Sequence, residues 1–293
     1  MAGRLGSVIT AMVTPFRDDF SLDLDGAQEL ARWLFDNGSD ALVLAGSTGE
    51  SATLSHGEKV DLLRAVVEAA EGRGKVIAGT GTYNTAETIE LTQEAEKSGA
   101  DAVLVVTPYY NKPPQRGLLE HFTKVAGSTG LPVILYNIPG RTACLIETDT
   151  VLRLTEVENI VALKDSTGDL QTASRIIKET PEDFDVYSGD DWAAFLYAVM
   201  GGAGVVSVAS HLVGDRIKEM LELATVDSVA ARKVHDDLMP LFKALFITSN
   251  PIPVKAALQI AGRPAGPPRL PLVPATEEER SQVEQAMRGV GVI

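Results

Sequence analysis

The chain has 293 residues, 45% of them hydrophobic and only 5% aromatic, and 40 acidic against 26 basic side chains leave a net charge of −14. Such a surface repels nucleic acid and anionic membranes, so neither is expected as a partner. No stretch approaches the ~18 apolar residues of a membrane span, residues 1–10 lack the pattern of a secretory signal, and the lone Cys144 has no partner for an internal disulfide, which fits a reducing, cytoplasmic compartment.

Along the chain, short aliphatic runs alternate with segments of helical period. Strands are expected at 8–13, 41–45, 76–78, 102–106, 133–136, 160–163, 184–187 and 205–208, and helices near 24–37, 57–71, 85–98, 115–127, 147–156, 170–179, 191–200 and 211–224. Thr85, ahead of Ala86-Glu87-Thr88, reads as a helix start, with Asp and Ser caps elsewhere. Eight strands alternating with eight helices is the count that closes a parallel (β/α)8 TIM barrel. An open doubly wound sheet is the alternative, because periodicity does not register closure. From Asp227 onward no strand pattern occurs. Helices at 228–246, 254–261 and 276–288, a break at Asn250-Pro251-Ile252-Pro253 and a proline-rich loop at 264–274 read as an appendage. The expected organisation is therefore a barrel over 1–226 and a C-terminal helical segment over 227–293.

In such a barrel chemistry sits on the loops leaving the C-terminal strand ends, and the unusual polar motifs fall there. Gly46-Ser47-Thr48-Gly49-Glu50-Ser51 follows the second strand and Thr107-Pro108-Tyr109-Tyr110-Asn111 the fourth. Tyr136 to Thr142 follows the fifth, Lys164-Asp165-Ser166-Thr167-Gly168 the sixth, and Ser188-Gly189-Asp190-Asp191 the seventh. Lys164 ends a strand buried on both faces. Desolvation there disfavours the ammonium and frees the amine as a nucleophile toward carbonyls. The bland alternative is a lysine reaching out to solvent. Glycines let the loop at 46–49 approach a ligand with several N–H groups, which suits a carboxylate.

Other chemistries lack support. The loop at 46–51 has no Gly-Lys-Ser/Thr ending of a phosphate loop, and Gly79-Thr80-Gly81 lacks the third glycine of a dinucleotide fingerprint. His56, His121, His211 and His235 show no ligand spacing, so no metal is expected. Asp190 and Asp191 read as helix N-caps. An amine, a neighbouring phenol (Tyr136), hydroxyls, Arg141 and an anion-binding loop together suit Schiff-base chemistry on a 2-oxo acid, with no cofactor beyond the covalent imine.

On these motifs the chain resembles the dihydrodipicolinate synthase (4-hydroxy-tetrahydrodipicolinate synthase) family of pyruvate-dependent class I aldolases. The resemblance spans essentially the whole length. It is carried by Ala11-Met12-Val13-Thr14-Pro15-Phe16, Gly-Ser-Thr-Gly-Glu-Ser at 46–51, Val106-Thr107-Pro108-Tyr109-Tyr110, Tyr136-Asn137-Ile138-Pro139, the Lys164 strand and Asn-Pro-Ile-Pro-Val-Lys at 250–255. Gly140-Arg141-Thr142 points to the synthase, because related sugar-acid lyases usually lack that arginine. The resemblance implies that Lys164 condenses with pyruvate and the enamine attacks L-aspartate 4-semialdehyde, committing carbon to diaminopimelate and lysine biosynthesis. Tyr136, Ser47 and Tyr110 would relay protons, Tyr110 entering from a neighbouring subunit of a homotetramer built as a dimer of dimers. Ser47 and Thr48 would hold the pyruvate carboxylate and Arg141 that of the second substrate, with Gly189 and Val206 lining the site. Ser47 stands where many members carry threonine, which implies a less fixed relay. Ser51, Ala52, His56, Glu87 and Tyr109 match a family site for feedback by lysine. Tyr83 and Lys59 depart from it, so weak or absent feedback is expected. The alternatives are a lyase or aldolase acting on N-acetylneuraminate or 2-keto-3-deoxygluconate, and a silent barrel that only binds a 2-oxo acid or a protein partner.

Overall fold

Eight parallel strands close into one barrel in chain order in the computed structural model, which describes residues 3–293. They are β1 (Val8–Ala11), β2 (Ala41–Leu44), β3 (Lys75–Gly79), β4 (Ala102–Val106), β5 (Val133–Asn137), β6 (Ile160–Asp165), β7 (Asp185–Ser188) and β8 (Gly204–Ser207). Around them run α1 (Leu24–Asp36), α2 (His56–Ala69), α3 (Thr85–Lys97), α4 (Gln115–Ala126), α5 (Pro139–Thr142), α6 (Thr148–Leu154), α7 (Leu170–Glu179), α8 (Ala194–Met200) and α9 (Ser210–Ala224). The closed (β/α)8 barrel is the expected fold, and the open sheet is excluded by the pairing of β1 with β8.

All eight expected strands and helices form, most with ends shifted by a few residues. One helix lies outside the expected set: α5, a single turn with Pro139 in its first turn, is too short to carry a periodic signal. The segment expected as one helix at 191–200 divides into a 3-10 turn, Asp191–Ala193, and α8. Thr85 is not the cap of α3. That role belongs to Asn84, whose side chain accepts from the Ala86 and Glu87 N–H groups.

Strand alternation sorts the apolar side chains into two bodies. Ile9, Ala11, Val43, Ile77, Leu104, Ile134, Tyr136, Tyr187 and Val206 fill the barrel interior. Val8, Leu42, Val76, Val103, Leu135, Leu163 and Val205 face the helices. In β6 the alternation breaks once. Val133 pairs with Ile160 but Ile134 pairs with Ala162, so Val161 is an extra residue and both Val161 and Ala162 point inward. That bulge sets the parity of the rest of β6, so Leu163 faces the helices and Lys164 faces the interior.

After β8 the chain continues as α10 (Ser228–Ala244), α11 (Ile252–Ile260) and α12 (Glu277–Gly289). α10 packs on α8 and α9, and α11 on α9 and α12. Leu238, Leu241, Val254, Leu258, Val283 and Met287 join the same apolar body as the barrel's outer helices. The loops around α11 cross back over the C-terminal mouth of the barrel, where Asn250, Pro271 and Leu272 line its cavity.

Candidate active site

Lys164 pairs in register with Tyr136 of β5 on one side and Tyr187 of β7 on the other, so the three side chains share one inward layer. Its side chain is buried, 6% exposed, and Nζ lies 4.0 Å from the centre of the Tyr136 ring. An aromatic face attracts an ammonium electrostatically. Tyr136 in turn lines a cavity of about 300 Å³ at the barrel mouth. Gly189 keeps the ground beside the lysine open. Its N–H donates to Asp165 O at 2.7 Å, and a Cβ built there would lie 3.1 Å from Lys164 Cε and 1.8 Å from Ser166 Oγ. Val206 is buried in the same interior wall.

Three carboxylates surround the far side of this layer. Asp165 faces outward and accepts from Tyr197 Oη at 2.8 Å and from the Thr167 N–H at 3.0 Å, while burial raises its pKa. Burial pushes Asp190 up to about 6, although the Lys164 charge works against that rise. Asp191 is completely buried, and burial raises it too. The reading of these two as N-caps is corrected. Asp190 makes no side-chain cap. Asp191 instead reaches across to accept from Ser207 Oγ and from the Val208 and Ala209 N–H groups at 3.2 and 2.9 Å, so it secures the turn that enters α9.

The loop after β2 forms another wall. Gly46, Ser47, Glu50 and Ser51 line the cavity. Glu50 N–H bonds back to Ser47 O and Ser51 N–H to Gly46 O, a tight turn that leaves the Ser47 and Thr48 N–H groups without a protein acceptor among the described residues. Such adjacent donors make an anion-binding concavity. Thr48 is buried and its hydroxyl accepts from Asn250 Nδ2 at 2.9 Å. Arg141, on α5 directly after β5, lines the same cavity, stays exposed, and donates to Asn250 O at 3.2 Å. Lys164, Tyr136, Ser47, Thr48, Arg141, Gly189 and Val206 therefore converge on one end of the barrel.

Tyr110 does not join them. It is 90% exposed, with a left-handed backbone (φ 74°), and takes no part in lining the cavity of its own chain. Its neighbour Tyr109 lines the cavity and meets Tyr83 edge-on, with ring centres 5.2 Å apart. Ser51 and Ala52 also line the cavity at this end. Glu87 lies in the first turn of α3 and His56 begins α2, exposed. Lys59 faces Glu87: burial lowers its pKa and the Glu87 carboxylate opposes the shift. The hydroxyl of Tyr109 is raised by burial first, then by Tyr83 and Glu87.

Sequence reasoning assigns no role to Glu50, Asn250 or Lys255. A signal exists in the last case: a lysine between Val254 and Ala256-Ala257-Leu258 sits in an apolar helix and must be buried. Among the described residues no group of three or more His, Cys, Asp and Glu side chains is placed to hold a metal ion.

Residues 4–289 match the family described as the dihydrodipicolinate synthetase family. A 4-hydroxy-tetrahydrodipicolinate synthase from Moorella thermoacetica is 52% identical over 289 residues, covering 98% of this chain and 99% of the relative. A dihydrodipicolinate synthase from Cyanidioschyzon merolae, solved with lysine bound, superposes with a TM-score of 0.97 at 46% identity, covering 99% of this chain and 100% of that one. The chloride-inhibited enzyme from Acinetobacter baumannii complexed with pyruvate gives 0.95 at 39% identity, with 99% and 100% covered.

Proposed function

The chain belongs to the dihydrodipicolinate synthetase family, and on that premise we propose that it is a 4-hydroxy-tetrahydrodipicolinate synthase, joining pyruvate to L-aspartate 4-semialdehyde through an imine on Lys164. The observation that carries this reading is the buried Lys164 amine set against Tyr136 in one inward layer, across the barrel mouth from a loop with free N–H groups. Relatives at about half identity carry the synthase name, which favours this reading over a sugar-acid aldolase.

In the proposed sequence the Lys164 amine attacks the ketone carbon of pyruvate and water leaves, forming the imine. The pyruvate carboxylate lies on the Ser47 and Thr48 N–H groups and hydroxyls. The protonated imine withdraws electrons, so a methyl proton is lost and an enamine forms. Its carbon adds to the aldehyde of the second substrate, whose carboxylate Arg141 holds. The amine of that substrate then attacks the imine carbon, closes the ring and releases Lys164. Tyr136, Ser47 and Tyr110 carry the protons. The imine supplies the electron sink, so no further cofactor is invoked.

Tyr110, 90% exposed in its own chain, reaches a site by entering that of a second copy. That supports a homo-oligomer, with a dimer of dimers as the assembly we propose. A cytoplasmic setting goes with the biosynthetic role. For regulation, we propose weak or absent feedback by lysine. The Lys59 ammonium already faces Glu87 and the Tyr83 ring packs on Tyr109, so a cationic amino acid meets a like charge there. Inhibition by sub-millimolar lysine in a steady-state assay would contradict this.

The deciding experiment is borohydride reduction in the presence of pyruvate, followed by peptide mass mapping. A stable adduct on Lys164 is expected. No adduct, or one on another lysine, would sink the enzymatic assignment.

A further inference from the structure

The segment after the barrel reaches the cavity through one buried lysine. Lys255 of α11 is 1% exposed, and its ammonium lies 2.6 Å from Glu50 Oε1. It also donates to Pro267 O at 3.1 Å and stands 4.4 Å from the centre of the Phe16 ring. Those three groups belong to the loop after β2, the loop after α11 and the loop after β1, so one charge joins three separate segments.

Glu50 is placed for this contact at some conformational cost. Its backbone is left-handed (φ 54°), a region disfavoured for a residue bearing a Cβ. Its side chain is wholly buried, and Oε2 accepts from the Arg269 N–H at 2.9 Å. Two further bonds run alongside: Asn250 Nδ2 to Thr48 Oγ1 at 2.9 Å, and an Arg269 guanidinium N–H to Thr53 O at 3.0 Å. Thr14 Oγ1 donates to Gly49 O at 2.7 Å. The loop is thus tied at 48, 49, 50 and 53, and three of the four ties come from residues 250–269.

A buried ion pair is a poor source of stability, since apolar replacements often do as well. What it does supply is a fixed geometry. Donors held in place before a ligand arrives bind it without the entropy loss of ordering them.

We infer that Lys255 and Glu50 form a positioning pair that holds the loop over residues 46–51 in the shape that receives the carboxylate of the 2-oxo acid, an inference resting on the assignment of Lys164 as the imine-forming residue. Lys255 does not line the cavity, so it acts through Glu50. Burial pushes the Lys255 ammonium down to about 8, and Arg269 adds to that shift while the Glu50 carboxylate resists it, so the cation depends on its partner.

The test reads the pyruvate concentration giving half-maximal borohydride trapping on Lys164, with the melting temperature followed in parallel. Lys255→Met and Glu50→Gln are each expected to raise that concentration about tenfold or more, with the trapped fraction at saturating pyruvate near that of the parent protein. The double variant removes the uncompensated charge and is expected to recover part of the loss. Half-saturation within about twofold of the parent in the single variants, whatever their melting temperature, would overturn the inference, as would a double variant as weak as the product of the two singles. Should Lys255→Met not fold, Glu50→Gln decides alone, because it is nearly isosteric and still accepts from the Arg269 N–H. A parent protein that traps no pyruvate would overturn the functional assignment instead, so the two failures are distinguishable.

Discussion

Two lysines are buried among the described residues, and they are held in opposite ways. Lys255 has a carboxylate at 2.6 Å, a carbonyl and an aromatic ring around its ammonium. Lys164 is nearly as inaccessible, yet it forms no contact ion pair among the described residues; its ammonium lies against the Tyr136 ring, which lines the cavity, and its charge is felt by Asp190. Burial by itself therefore does not mark a nucleophile. A lysine locked to a carboxylate and a carbonyl is an anchored cation, whereas one without a contact ion pair, behind a ring that lines the cavity, is the one proposed to give its amine to a substrate.

The contrast breaks most sharply on truncation. Lys164→Ala is expected to abolish the borohydride adduct and lower kcat by about a hundredfold or more, since the covalent route is lost, while its melting temperature stays close to that of the parent. Lys255→Met is expected to do the reverse in stability: leaving Glu50 buried without its counter-charge costs on the order of 3 kcal/mol, measurable by urea unfolding. If Lys164→Ala is the more destabilising of the two, the division between nucleophile and anchor fails.

A milder probe sharpens the Lys164 side. Gly189→Ala places a methyl 3.1 Å from Lys164 Cε and far inside contact distance of Ser166 Oγ, so adduct formation should slow by about tenfold. The control is Gly262→Ala, where the added Cβ meets no atom within 4 Å. Its left-handed backbone makes a small loss of stability the expected cost, with trapping unchanged. Equal trapping rates in the two variants would show that the space beside Lys164 is not held open for the chemistry.

The smallest effect concerns a buried base with no acid partner. His211 is completely enclosed, its Nδ1 facing Val208 O at 2.8 Å and its Nε2 accepting from the Val13 N–H at 3.1 Å. Burial pushes it down to about 4. As pH falls from the ordinary value near 6.5, the unfolded chain takes up this proton before the folded one. Stability then rises with pH across that window and is lost on acidification toward 4. Urea unfolding between pH 7 and 4.5 should show a shallower loss for His211→Gln than for the parent. Identical slopes would contradict a buried neutral imidazole.

Much of this molecule is legible in the order of its amino acids. The runs at 102–106 and 170–179 coincide with β4 and α7 to the residue, because aliphatic runs and helical periodicity are local signals. The rim motifs are legible as well, since each polar cluster directly follows a strand. What escapes is short or borrowed from afar. The single turn of α5 has no period to detect, and Asp191 looks like a cap for its own segment while serving the entrance of α9. The side chain of Tyr110 looks like part of the site and leaves it.

By itself the sequence determined the eight strands, the eight alternating helical segments and their order, since these follow from neighbours within a few residues; it also singled out Lys164 as the proposed amine, through the polar motifs at the other strand ends. Only the tertiary structure decided closure, facing and support. The extra residue at Val161 turns Lys164 inward, a parity that no reading of β6 alone supplies. The loop that faces it is braced by Asn250, Lys255 and Arg269, some two hundred residues further along. The physical reason is the same in both cases: strand register and buried pairing depend on what lies across space, and periodicity carries only what lies along the chain.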